Sequence, residues 1–343
     1  MNYNKYILMI HIIKDLLNPY NWIKLARNPS KFKKVFNDRI NYYPGLKYGY
    51  TRSKIIKKFY INFNMFFAKK NKQFDDIFFK PVDKTNKVNI GFNMNNGFQL
   101  NEQHYNSLKE NGVLVLKNAL PEQEREEICK KFNKIKNDIA NNSVKDYQLP
   151  GKDTDTYNKS PDTLSQSYSL GNINPDSTLA QISNQITKSV YGQSMIPSSY
   201  YMYTKSINLP EKPHDGDNVW HSDRYLPNLK LIYYPFGVKI DSAPFRYSLG
   251  SHKINRDYLN FFVDTDGGAI KLPESKVIDS DYGKKFLKNP QELVCEPNTL
   301  AAALVSGFHG RTPFKEKGDR SALFLCYPNF NLFSLISFWR YNS

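Results

Sequence analysis

The chain has 343 residues, enough to bury a substantial core in one large domain, or in one with an appendage. Its formal charge of +16 is uneven: residues 1–90 hold 19 basic and 5 acidic side chains, and the remainder holds 29 and 27. The remainder is close to neutral, so the high overall charge says little about its substrate. Three scattered cysteines, Cys129, Cys295 and Cys326, with no Cys-x-x-Cys spacing, indicate neither a disulfide framework nor a zinc site and fit a reducing, cytoplasmic setting.

In the N-terminal quarter, Tyr6–Ile13 is apolar but far short of the roughly 20 residues that span a bilayer. No small-residue cleavage site follows, so neither a signal peptide nor a transmembrane span is expected. Pro19 and Pro29 divide the segment, and residues 54–70 interleave lysines with large apolar groups. Residues 1–90 therefore read as a basic, aromatic-rich, mostly helical extension to a main domain over 91–343. Two readings of the extension stand side by side. Its helices pack on the rest of the chain and leave their lysines solvated. Alternatively it lies on an anionic membrane surface through residues such as Trp22, Phe66 and Phe67. Nucleic acid ranks behind both, because no nucleic-acid fold signature accompanies the basic and aromatic residues.

Further along, Asn101 is placed to cap a helix through Asn111 that Gly112 stops. Val113–Leu116 reads as a strand, and Pro121 suits the start of a second helix whose Glu122, Glu124, Glu126 and Glu127 favour its N-terminal dipole. Residues 142–176 are polar and rich in turn formers, which predicts a long loop; residues 255–295 are taken as a second loop region. A helix is expected from about Asp176 to Val190. Strand signals then accumulate at Ser199–Tyr203, Leu229–Tyr234, Phe245–Ser248, Thr299–Val305 and Ser321–Tyr327. Pro313 and Gly318 suggest that the last two form a hairpin. Without βαβ alternation or a glycine-rich phosphate loop, antiparallel strands closing as a jelly roll are favoured, a mainly β fold with flanking helices.

Trp220-His221-Ser222-Asp223 carries the chemistry. On an extended segment, side chains two apart share a face, so His221 and Asp223 converge while Ser222 turns away. His309 lies 86 residues beyond Asp223, far enough for intervening strands to return it as a third ligand. Two histidines and one carboxylate on one face of a metal leave the other face open, the donor set of non-heme Fe(II) sites. Arg320, eleven residues after His309, can hold a dicarboxylate through a bidentate fork.

These residues, in this order, resemble the phytanoyl-CoA dioxygenase-like oxygenases over about residues 95–330. Residues 102–120 are similar to the family's opening helix, glycine and strand. His221-Ser222-Asp223 looks like its proximal ligand pair, Leu249-Gly250-Ser251-His252-Lys253 like its Pro-Gly-Ser-His-Lys segment, and Phe308-His309-Gly310 like its distal ligand. The resemblance implies a double-stranded β-helix in which His221, Asp223 and His309 bind Fe(II). It implies 2-oxoglutarate as cosubstrate, anchored by Arg320 with Thr312, Arg311 and Tyr234 nearby, and consumption of O2 to hydroxylate a C–H bond of a small-molecule, lipid or sugar substrate. Asp223 argues against halogenation, since related halogenases leave that position to chloride. The departures are Leu249 for the usual proline, Arg311 where many members have a serine, and Asn298-Thr299 for the common Gly-Asp. Arg224 and Arg246 are candidates for an anionic substrate group, and Tyr201, Tyr203 and Tyr233 for pocket or core. His252 is expected in a structural or pocket-lining role and His214 in an exposed loop. The alternative reading is a non-catalytic jelly-roll binding protein.

Overall fold

The computed structural model describes residues 58, 61–62, 65–66, 69, 72–80, 89–94, 97–140, 159–160, 163–207, 218–223, 228–264 and 280–327, all within the compact unit Lys58–Ser343. The basic segments before residue 58, together with Phe67, His214 and Arg224, lie outside the described residues.

Eleven strands are described: β1 Gly91–Asn93, β2 Val113–Lys117, β3 Lys159–Ser160, β4 Thr163–Ser169, β5 Ser199–Ile207, β6 Leu229–Tyr234, β7 Phe245–Ser248, β8 Pro290–Leu293, β9 Thr299–Leu304, β10 His309–Arg311 and β11 Gly318–Cys326. The large sheet has the order β1-β2-β9-β6-β11-β5-β4-β3 and the small one β10-β7-β8. His221 adds to the small sheet by an antiparallel bridge to His309. From β5 onward the chain therefore alternates between sheets: β5 in the large, His221 in the small, β6 in the large, β7 and β8 in the small, β9 in the large, β10 in the small and β11 in the large. That path is a double-stranded β-helix, as expected from the sequence.

Period-two alternation sorts the large sheet's side chains. Val113, Val115, Ile232, Tyr234, Ala301, Ala303 and Ala322 face Phe245, Tyr247 and Leu293 of the small sheet and form the interior. Leu114, Leu116, Leu231, Tyr233, Leu300 and Leu323 face the other way, into a second core shared with helices. Each fully buried Val, Ile, Leu or Phe among them contributes about 1.5–3 kcal/mol. After the short helical turns Lys72–Phe74 and Asp75–Phe79, the described helices are α1 Glu102–Asn111, α2 Glu122–Ala140, α3 Thr178–Tyr191, α4 Arg256–Asp264 and α5 Asp281–Phe286. In α1 the Asn101 side chain accepts from the Gln103 and His104 amides, and Gly112 ends the helix at φ 78°. Ser177 caps α3 through the Ala180 amide. Glu124 of α2, expected to serve its own dipole, also accepts from the Thr178 and Leu179 amides at 3.0 and 3.2 Å, so it closes the exposed N–H groups of the neighbouring helix.

Three expectations need correction. The stretch 142–176 is not all loop: β3 and β4 form a hairpin there, and β4 pairs along β5 from Thr163 to Ser169. This pairing satisfies the backbone groups on the edge of β5 not taken by β11, which polar composition alone does not reveal. Residues 255–295 contain α4, α5 and β8; α4 buries Tyr258, Phe261 and Phe262. Finally, β9 and β11 are not a hairpin, because β6 lies between them. The chain crosses to the small sheet for β10 and returns, and β11 begins at Gly318, so Arg320 sits inside the strand.

Ile61, Met65, Phe74, Ile77 and Phe78 are buried in the same cluster as α3, and Phe74 meets Tyr191 edge-on at 6.0 Å. These residues of the basic quarter belong to the core shared with the helices. Among the described residues no helix is long and apolar enough to cross a membrane.

Asn298 stands before β9 at φ 63°, a left-handed conformation suited to glycine or asparagine. Its Oδ1 accepts from the Leu120 amide and the Tyr233 hydroxyl, both at 3.0 Å. Its Nδ2 donates to the Leu120 carbonyl at 2.8 Å. Asparagine thus keeps the turn and also ties α2's entry to β6. Replacing Asn298 with alanine is expected to lose about 2–4 kcal/mol, from three hydrogen bonds and a left-handed Cβ, read as a lower denaturant midpoint at unchanged slope.

Candidate functional site

The site sits where the His221 segment meets β10. The two backbones exchange hydrogen bonds, His221 N to His309 O at 2.9 Å and His309 N to His221 O at 2.8 Å. The two imidazoles consequently stand side by side, ring centroids 4.5 Å apart. The Asp223 amide donates to the Val305 carbonyl at 3.0 Å and fixes the third residue. Ser222 points the opposite way, fully buried, with its hydroxyl donating to the Ser306 carbonyl at 2.7 Å and 2.9 Å from the Tyr258 hydroxyl. Trp220, buried on that side, anchors the segment. The turn before His309 requires glycine at 307: a Cβ there would lie 1.9 Å from the Tyr247 hydroxyl oxygen.

Each imidazole is pinned by its Nδ1, which lies 2.9 Å from the Val219 carbonyl in His221 and 2.8 Å from the Gly307 carbonyl in His309. An Nδ1–H donated to those carbonyls leaves each Nε2 with its lone pair outward, the tautomer a metal needs. The Nε2 atoms of His221 and His309 lie 3.4 and 3.5 Å from Asp223 Oδ1. All three ligand atoms fall within 4.8 Å of one another, and this is the group of metal-ligating type found among the described residues. Lys230 Nζ lies 2.5 Å from the other carboxylate oxygen, Oδ2.

The electrostatics suit a cation. Burial works to raise the Asp223 carboxyl, but the Lys230 ammonium beside Oδ2 foremost, and the neighbouring imidazoles whenever they take up a proton, hold it well below the usual carboxylate range. Burial, reinforced by the neighbouring His221, pushes His309 below its ordinary value despite Asp223. In His221 burial is outweighed by the hydrogen bond and charge of Asp223, and the net shift is upward. At neutral pH the site therefore holds an ionised carboxylate and a neutral His309, the states that ligate metal.

Below the triad, inward residues of the large sheet form rows. Lys230 lies across from Cys326 and Ala303, Ile232 from Phe324 and Ala301, and Arg320 from Lys205. Arg320 is buried; its Nη2 donates to the Tyr234 hydroxyl and its Nη1 to the Ala243 carbonyl, each at 3.2 Å. Its Nε has no hydrogen-bond partner, nor does the buried Thr312 hydroxyl. The Thr312 amide donates to the Pro244 carbonyl, next to Ala243, which brings Thr312 close to Arg320. Arg311 shares the inward face of β10 with His309; its guanidinium lies 6.0 Å from the Phe314 ring centre and donates to the Thr312 carbonyl at 3.3 Å. A cationic recess with unspent donors fits a carboxylate.

The remaining candidates separate. Tyr201 stacks on Phe324 at 5.3 Å and Tyr203 meets it edge-on, both on the inward face. Tyr233 faces the helices. Arg246, between inward Phe245 and Tyr247, lies on the outer face under Trp220 at 4.4 Å and donates to the Asn218 carbonyl. His252 is buried with Nε2 3.0 Å from the Lys109 carbonyl, outside the ligand group; burial pushes it down to about 3. Sequence reasoning missed Lys230. The available signal was its spacing, two residues before Ile232 and four before Tyr234 on a strand whose inward face those residues define.

No family model matches the chain, and no curated protein matches it. Among solved structures it is similar to AviO1 from Streptomyces viridochromogenes Tue57, at 12% identity and a TM-score of 0.43, covering 65% of this chain and 92% of that one. It is also similar to HygX from Streptomyces hygroscopicus with nickel and 2-oxoglutarate bound, at 13% identity and 0.40, covering 67% and 87%. EctD from S. alaskensis with bound Fe matches at 12% and 0.44, covering 72% and 82%.

Proposed function

We propose that this chain is an Fe(II)- and 2-oxoglutarate-dependent dioxygenase that hydroxylates a C–H bond of a small-molecule, lipid or sugar substrate. The observation that carries the reading is the convergence of His221 Nε2, His309 Nε2 and Asp223 Oδ1, with both imidazoles pinned in the ligating tautomer. These three atoms would hold Fe(II). The iron, when bound, supplies the redox chemistry by which substrate, 2-oxoglutarate and O2 become hydroxylated substrate, succinate and CO2. The protein's own residues bind, orient and keep the site dry. Arg320, with the Tyr234 hydroxyl beside it, pairs with the far carboxylate of the cosubstrate, and Thr312 and Arg311 add donors at that end. Val113, Val115, Ile232, Ala301 and Ala303 form an apolar wall that excludes water from the reacting centre.

Anaerobic addition of Fe(II) and 2-oxoglutarate to the protein is expected to produce the weak visible charge-transfer band of the chelate. Screening candidate metabolites in air is expected to show substrate-dependent succinate release. A protein that binds 2-oxoglutarate but gives neither signal would be the non-catalytic jelly-roll binder.

A further inference from the structure

Lys230 is an inward residue of β6, a strand paired on both sides, so its backbone is fixed by β9 and β11. Its ammonium is 2.5 Å from Asp223 Oδ2, while Oδ1 faces the two imidazoles. We propose that Lys230 is a positioning residue for Asp223: it holds Oδ2 and so restricts the carboxylate to one metal-facing oxygen. This inference rests on the Fe(II) and 2-oxoglutarate reading.

The coordination count gives the restriction its consequence. Held by three protein ligands, an Fe(II) ion would keep its remaining positions for the cosubstrate. A carboxylate free to turn can offer both oxygens and take one of those positions. The contact with Lys230 also withdraws electron density from Asp223, making it a weaker donor. The pair is shielded enough to matter, with the side chains only 27% and 20% exposed. Loss of Lys230 has opposed effects on metal affinity: orientation is lost, but repulsion between the ammonium and the dication is relieved. Metal affinity alone is therefore a poor readout, and the iron–keto-acid spectrum is the decisive one.

The test compares native protein with Lys230→Met, Lys230→Gln and Lys230→Arg, each loaded anaerobically with Fe(II) and titrated with 2-oxoglutarate, with thermal midpoints to confirm folding. In Lys230→Met the band is expected at longer wavelength, because Asp223 becomes a stronger donor. 2-Oxoglutarate is expected to bind about tenfold more weakly, at the low end of the 10–100-fold effect typical of an outer-shell partner. Lys230→Gln should show the same spectral shift in smaller measure, and Lys230→Arg should restore the native band. A Met variant that folds and matches the native band position and 2-oxoglutarate affinity overturns the role of Lys230 alone. A native protein without the band overturns the inference together with the reading beneath it.

Discussion

Asp223→Ala is expected to abolish the visible band and succinate release, with Fe(II) affinity falling by at least about a thousandfold. The magnitude follows from comparison: losing an outer-shell partner costs roughly 10–100-fold, and a direct anionic ligand contributes more. Asp223 is the anion of the triad, and its Oδ1 lies 3.4 and 3.5 Å from the two imidazole Nε2 atoms. Without it the metal would face two neutral imidazoles and the Lys230 ammonium. Asp223→Asn separates charge from shape, since it retains an oxygen while losing the negative charge; it should remain severely impaired. The metal-free protein gives an independent readout. The folded Asp223 carboxyl titrates well below its unfolded value of about 3.9. Its stabilising contribution is thus present above that pH and is lost as pH falls through the folded value. Acid denaturation curves should show this loss in the native protein and lack it in Asp223→Ala. Retention of the band by a folded alanine variant would remove Asp223 from the metal site.

Much of this arrangement was legible in the sequence, for local reasons. Asn101, Gly112 and Ser177 act through the backbone next to them, so helix ends could be read directly. The strands β6 and β7 are bounded by turn residues and were placed to the residue. His221 and Asp223 share a face because they are two apart on extended backbone, a short-range rule. What escaped reading depends on sheet order. The hairpin expected around His309 failed because adjacency in sequence does not tell which sheet a strand joins, and β10 crosses to the other one. The β3–β4 hairpin is polar, and it is a strand because the edge of β5 needs backbone partners. Lys230 went unnoticed for a related reason. A lysine on an apolar strand reads as a solvated outward residue until the inward face is assigned from Ile232 and Tyr234. Arg246 is the converse: it stands between inward Phe245 and Tyr247, so alternation puts it under Trp220 on the outer face.

Arg320→Met is expected to raise the dissociation constant for 2-oxoglutarate by roughly 30-fold to several thousandfold, with Fe(II) affinity nearly unchanged. Truncating one member of a buried, hydrogen-bonded charge pair costs about 2–5 kcal/mol, which sets that range. Arg320 is buried, with one nitrogen on the Tyr234 hydroxyl and another on the Ala243 carbonyl, both neutral acceptors. Its Nε makes no hydrogen bond. A guanidinium so placed has charge and a donor in reserve for an incoming carboxylate, and Tyr234 holds the fork in orientation. Arg320→Lys keeps the charge but not the fork and should recover only part of the affinity. Titrating 2-oxoglutarate into Fe(II)-loaded protein without oxygen measures the constant, and thermal midpoints separate it from misfolding. If Arg320→Met changes the constant less than threefold while Arg311→Met raises it steeply, the anchor is Arg311 on β10. The cosubstrate would then extend along the small sheet below His309 instead of across to β11.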